Sequence, residues 1–135
     1  MDKIQQVCTN AIILNNKNEI LIVRRALSDE FLPGYWELPG GGINYGEIPQ
    51  DALKREIKEE CNLNIEVHKP LAVNTYYIKS IQRVEITFLC EVIDKQYSVG
   101  LSHEHIDYRW IRQKELDSVE TTEYIKNIIK SAKEL

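Results

Sequence analysis

Apolar positions along the chain repeat with two different periods. From Ile4 to Leu14 the residues favour β structure, Asn15-Asn16-Lys17-Asn18 reads as a turn, and Glu19 to Arg24 resumes as a strand, so the N-terminal region is expected to form a hairpin. Ile65 to Ile78 and Val84 to Val92 are two further β segments around a short polar turn. In the second, Val84, Ile86, Phe88, Cys90 and Val92 alternate with other residues, the period of a half-buried strand. Ile106 to Ile111 is a last strand candidate. Two segments follow the helical period instead. Pro49 to Cys61 carries Leu53, Ile57 and Cys61 on one stripe, with proline tolerated in the first turn and Asn62 placed as a left-handed cap. The closing helix, roughly from Thr121, repeats Ile125, Ile128, Ile129 and Ala132 at i, i+3, i+4 and i+7. Strands and helices alternate irregularly, which predicts an α/β fold, a mixed sheet with helices packed on its faces.

Between the hairpin and the first helix the pattern breaks. Ser28 to Gly46 holds Pro33, Pro39 and five glycines (Gly34, Gly40, Gly41, Gly42 and Gly46) around a short strand-like Trp36-Glu37-Leu38, so a long irregular loop is expected there, a place where function concentrates. There is no internal repeat and no linker-like segment, and at 135 residues the expectation is one domain over 1–135.

Composition narrows the class. With 43% hydrophobic and 28% charged residues the chain has the profile of a globular protein with a proper core. Its longest aliphatic run, Ala11 to Leu14, is far below the ~20 residues of a membrane span, and no basic-then-apolar leader precedes it. Cys8, Cys61 and Cys90 form an odd set without CxxC spacing, which argues against a disulfide framework and fits a reducing cytoplasm. The 17 basic and 21 acidic residues sum to −4 with no basic run, which disfavours a nucleic-acid binder. A small phosphorylated substrate stays open, because a bound divalent cation reverses the local field.

The chemistry concentrates in Arg55-Glu56-Ile57-Lys58-Glu59-Glu60. At about 100° per residue, Glu56, Glu59 and Glu60 share an arc beside the apolar stripe, with Lys54, Lys58 and Arg55 placed on the other side. Like charges ~6 Å apart repel by roughly 3 kcal/mol at an effective dielectric near 20, a cost that a cation among them removes. Oxygen donors suit Mg²⁺ or Mn²⁺ rather than zinc. The glycines upstream allow backbone to approach a metal or phosphate closely, in neither P-loop nor Rossmann spacing.

Gly41, then five residues, Glu47, then seven, and Arg55 to Leu63 resemble the signature of the Nudix hydrolases over residues 41–63, with Asn62 standing where the family pattern has glycine. The Asn62 departure is tolerable because asparagine enters the left-handed conformation readily. Ile48 occupies the expected N-cap, where a hydroxyl would serve better. Pro33 to Gly41 resembles the approach to this box in many members. The resemblance implies an α/β/α sandwich, a mixed β-sheet between helices, and hydrolysis of a nucleoside diphosphate linked to another group X by attack of water on phosphorus, with Mg²⁺ or Mn²⁺.

By the same resemblance, Glu56, Glu59 and Glu60 would hold the cation with the Gly40 carbonyl as a further ligand. Arg55 would orient a carboxylate through a salt bridge to Glu47 or Glu59. The general base is either Glu56 or Glu104, the latter in Leu101-Ser102-His103-Glu104-His105 before the last strand. His103 and His105 flank Glu104 without a visible third ligand for zinc. Arg24 and Arg25 are candidates for phosphate contacts, and Tyr35, Trp36, Tyr76 and Tyr77, with Phe31, for the nucleobase, although strand aromatics more often belong to a core. Small size and the absence of added domains are expected to place the chain nearest the MutT-type branch, a nucleoside triphosphate pyrophosphohydrolase releasing NMP and pyrophosphate. The alternatives are a nucleotide-sugar or ADP-ribose pyrophosphatase and a catalytically silent nucleotide-sensing module. The partner implied is a small nucleotide, with no nucleic acid or membrane, and family members often form homodimers.

Overall fold

A computed structural model describes residues 3–132. Its strands are β1 (Ile4–Leu14), β2 (Ile20–Arg25), β3 (Trp36–Glu37), β4 (Gly40–Gly42), β5 (Ile65–Ile78), β6 (Ile81–Val92) and β7 (His105–Ile111). The helices are α1 (Pro49–Cys61) and α2 (Glu123–Ser131), with a 3₁₀ turn at Gln113–Ser118 that the sequence pattern did not suggest. The strands form one mixed sheet in the order β3-β2-β1-β6-β5, with β4 on β1 and β7 on β2. β1 runs parallel to β6 from Ile4 opposite Ile81 to Leu14 opposite Glu91, and β5 and β6 form an antiparallel hairpin.

Strict alternation sorts the side chains into two layers. Ala11, Ile13, Leu21, Val23, Phe88 and Cys90 pack with Leu53, Ile57 and Cys61 of α1. Ile12, Leu14, Ile20, Ile22 and Leu89 pack with Ile125, Ile128 and Ile129 of α2. The sheet therefore lies between the two helices, as an α/β/α sandwich requires. Thr122 caps α2 by accepting from the Ile125 N–H at 3.3 Å. Just before it, the Trp36 N–H donates to the Glu120 carbonyl at 2.8 Å and the Thr121 hydroxyl to the Trp36 carbonyl at 2.7 Å, which staples β3 to the C-terminal segment.

Two sequence expectations need correction. β1 and β2 are joined by the expected turn, closed by the Asn15 side chain accepting from the Lys17 and Glu19 N–H groups, but their ladder is registered only at Leu14 and Ile20. Beyond it the strands fork, and the glycine segment fills the gap. β3 pairs with β2, and β4 pairs with β1 through Asn10–Gly40, Thr9–Gly41 and Cys8–Gly42, so the expected irregular loop contributes two short strands to the sheet. Glycine is what allows this approach, since a Cβ at Gly40 would collide with the Thr9 carbonyl and the Asn10 backbone. Among the described residues no helix is long and apolar enough to cross a membrane.

Candidate active site

The α1 helix carries the carboxylates and its ends set their pitch. Pro49 occupies the first turn, Ile48 gives no side-chain cap, and Asn62 closes the helix at φ 56° with its N–H on the Lys58 carbonyl. The loop leading to β7 docks on this end, where the Gly100 and Ser102 N–H groups donate to the Cys61 and Glu60 carbonyls at 3.0 and 3.1 Å. Those carbonyls would otherwise be orphans of the last turn. The same docking carries Glu104 and His105 to the carboxylate face, where Glu60, Glu104 and His105 place ligand atoms within 4.8 Å of one another.

Glu60 is 5% exposed, and among the described residues the Gly40 N–H, 3.3 Å away, is its hydrogen-bond donor. Burial, followed by repulsion from Glu104 and Glu56, pushes its carboxyl up to about 9. Glu56 is also raised, chiefly by burial, against the pull of Arg55. A Cβ at Gly41 would run into the Glu56 carboxylate.

Arg55 organises this face. Its Nε and Nη2 donate to the two oxygens of Glu47 at 2.8 Å each, Nη1 reaches Glu56 at 2.9 Å and Glu59 at 3.4 Å, and Nη2 meets the Gly42 carbonyl at 3.1 Å. The Arg55 guanidinium, with the Asn44 N–H, holds Glu47 down to about 2. Placing Arg55 with the lysines, away from the carboxylates, was therefore incorrect. A long side chain bends back along the helix and joins the acidic arc.

A cavity of about 230 Å³ opens on the α2 side of the sheet. Its lining includes Arg25, Phe31, Tyr35, Trp36, Tyr76 and Tyr77 from the sequence candidates. Arg24 is not among the lining residues, and its Nε donates to the Gly34 carbonyl at 2.9 Å. Glu37 joins the cavity to the carboxylate cluster, with Oε1 accepting from Arg25 at 2.9 Å and Oε2 lying 2.8 Å from His105 Nε2. Sequence reasoning missed Asn10, Glu37, Glu85, Tyr124 and the contribution of His105. A buried polar residue inside an alternating strand was the available signal for Asn10 and Glu85, but alternation alone gives the second face to solvent.

A family model described as the NUDIX domain matches residues 5–131. The chain belongs to the Nudix family. It is accordingly a Nudix hydrolase of the pyrophosphohydrolase type, a family that acts on nucleoside diphosphates linked to X and generally uses divalent metals. Among curated Nudix relatives, nucleoside triphosphatase NudI of Enterobacter sp. (strain 638) is 28% identical over 120 residues, covering 82% of this chain and 85% of that one. RNA pyrophosphohydrolase of Ruthia magnifica subsp. Calyptogena magnifica is 30% identical over 120 residues, covering 74% and 64%. Among solved structures, the MutT protein of Methanosarcina mazei Go1 superposes with a TM-score of 0.85 at 25% identity, over 96% of this chain and 94% of that one.

The donor set fits a hard divalent cation. It brings carboxylate oxygens from one helix and one loop together with a His105 ring nitrogen, beside a glycine strand where Gly41, without a Cβ, lets the Glu56 carboxylate lie against the backbone. Two of these carboxyls are disfavoured as anions when left without a cation, which is the electrostatic condition that a bound cation reverses.

Proposed function

We propose that this Nudix hydrolase is a Mg²⁺- or Mn²⁺-dependent pyrophosphohydrolase of nucleoside triphosphates, releasing a nucleoside monophosphate and pyrophosphate. One observation carries the reading: the carboxylate cluster and an aromatic-walled cavity of about 230 Å³ adjoin across Glu37, so one extended molecule with a polyanionic end and a flat ring spans both. The name of the NudI relative, a nucleoside triphosphatase, supports the same substrate class.

Glu56, Glu59, Glu60 and the Gly40 carbonyl would hold the cation, with Glu104 facing them from the β7 loop. When bound, it would neutralise phosphate charge and lower the pKa of a coordinated water. The chain's own residues do the rest. Arg55 fixes the rotamer of Glu56, so that its carboxylate is oriented to take the proton from the attacking water. Glu104, whose side chain is exposed, completes the anionic rim from the opposite wall. Arg25 is spent on Glu37 and the Phe31 carbonyl, so it shapes the passage between the two compartments rather than binding phosphate freely.

The test is product release from nucleoside triphosphates, nucleotide sugars, ADP-ribose and dinucleoside polyphosphates, with and without Mg²⁺. The expected result is Mg²⁺-dependent release of pyrophosphate from triphosphates, with Glu56→Gln lowering kcat at least 100-fold at little change in KM. Turnover confined to the sugar or ADP-ribose conjugates would overturn the substrate class, and binding without turnover would make the protein a sensor.

A further inference from the structure

The floor of the aromatic cavity accepts hydrogen bonds. Asn10 on β1 and Glu85 on β6 both line it, although they are only 4% and 8% exposed. Their orientation is fixed from beneath. The Thr87 hydroxyl donates to Asn10 Oδ1 at 2.6 Å, and Asn10 Nδ2 donates to Glu85 Oε1 at 3.1 Å and contacts the Tyr124 hydroxyl at 3.5 Å. Cys8 Sγ donates to Glu85 Oε2 at 3.5 Å. The amide hydrogens of Asn10 and the hydroxyl of Thr87 are thus spent inside the network. A carboxylate accepts about four hydrogen bonds, so Glu85, with Asn10 on one oxygen, Cys8 on the other and the Tyr76 hydroxyl close by, keeps acceptor capacity for a ligand. Glu37 is different, since Arg25 and His105 take its two oxygens.

A buried carboxylate with unused lone pairs is costly unless a ligand supplies donors. The rings of Tyr35, Trp36, Tyr76 and Tyr124 around it favour a flat aromatic ligand. Among nucleobases, guanine presents two adjacent donors on one edge, N1–H and the exocyclic N2–H₂, which match the two oxygens of a carboxylate. Adenine and cytosine put a ring acceptor beside their amino group and would set a lone pair against Glu85. Uracil and thymine offer one N–H between two carbonyls.

We propose that Glu85, held in place by Asn10 and Thr87, selects guanine nucleotides by accepting hydrogen bonds from N1–H and N2–H₂. This deepens the triphosphate reading and rests on it for the placement of the phosphates at the carboxylate cluster. Specificity then resides on β1 and β6, outside the Nudix box. Glu85 lies between two apolar residues of the alternating strand, Val84 and Ile86, where its face is set by the pleat.

Calorimetric titration of the chain with GDP, IDP, ADP and CDP tests the recognition without turnover, and kcat/KM for the matching triphosphates with Mg²⁺ tests it in catalysis. IDP is the sharpest comparison, because hypoxanthine keeps N1–H and lacks the exocyclic amine. The expected result is GDP bound about tenfold or more tightly than IDP and the others, with Glu85→Gln bringing GDP and IDP within about twofold. Thr87→Val, which frees Asn10 without touching the ligand, should reduce the preference severalfold and serves if the glutamine variant does not fold. Equal affinity for GDP and IDP in the unmodified chain, or a preference that survives both substitutions, would overturn the proposal. Guanine-selective binding without hydrolysis would leave it standing and sink the triphosphatase reading, whereas hydrolysis without base preference would do the reverse.

Discussion

Arg55 grips Glu47 through two parallel hydrogen bonds of 2.8 Å, and with its remaining nitrogen it holds Glu56 at 2.9 Å. A lysine can form one of these contacts but cannot match the planar fork. Arg55→Lys is therefore expected to lower kcat by roughly 10- to 100-fold while the melting temperature changes little, because the cost falls on the orientation of Glu56. Paired steady-state kinetics and thermal melts check this, and unaltered kcat would show that Glu56 needs no external support.

Neighbouring glycines fail in different ways. A Cβ at Gly40 meets backbone of β1, which cannot move aside, whereas one at Gly41 meets the carboxylate of Glu56, which can. Gly40→Ala should therefore be lost mainly in stability, by about 1–3 kcal/mol or more, as overpacking costs. Gly41→Ala should fold and melt nearly normally but lose most of its activity. Chemical denaturation and turnover measured on both variants separate the two, and a stable, active Gly40→Ala would contradict the close β1–β4 pairing.

Glu60 trades stability for function. Its buried carboxyl is pushed up to about 9 by burial and by its carboxylate neighbours, so a neutral amide suits the apo site better than an anion does. Glu60→Gln is expected to melt at the same or a higher temperature without metal, yet to bind Mn²⁺ at least tenfold more weakly and to lose metal-dependent turnover. Spin-resonance titration of Mn²⁺ gives the affinity independently of activity. Normal Mn²⁺ affinity in this variant would remove Glu60 from the metal site.

A pH effect follows from Glu85. Burial pushes its carboxyl from 4.5 up to about 7; Glu37 on β3 adds to the rise, and Cys8 on β1, Arg83 on β6 and Tyr76 on β5 oppose it. A folded-state pKa above the unfolded value means that the folded chain binds the extra proton. The associated stability is complete below pH 4.5 and disappears as pH rises through about 7. The difference in melting temperature between the unmodified chain and Glu85→Gln should therefore shift by a few degrees between pH 5 and pH 8, in the direction of relative loss for the glutamate. The preference for GDP over IDP should grow over the same interval, because only the anion accepts both donors. A preference that is flat with pH would separate Glu85 from base recognition.

Much of this was legible in the chain before the fold. The stripe of Leu53, Ile57 and Cys61, the arc of Glu56, Glu59 and Glu60, and the left-handed Asn62 are local features of one helix, and local periodicity fixes them. Glu104 is named through family resemblance alone, and its nearness to Glu60 depends on the hydrogen bonds that dock its loop on the end of α1, which no local pattern announces. What could not be read were relations across the sheet. The parallel pairing of β1 with β6 brings Asn10 beside Glu85 across 75 positions of sequence, and nothing in either segment names the other. The fork between β1 and β2 was hidden for a related reason, since glycines read as breakers when they in fact pair with a neighbouring backbone.

That fork has a further meaning for how this enzyme can change. The carboxylates sit on the α1 layer, the base-reading floor on the α2 layer, and Glu37 links the two through the gap between separated strands. Residues on one layer can be exchanged without repacking the other, so recognition and chemistry form two separable inheritances. A lineage of such proteins can pass from one nucleobase to another by substitutions at Asn10, Glu85 and Thr87, while its hydrolytic apparatus stays as it was.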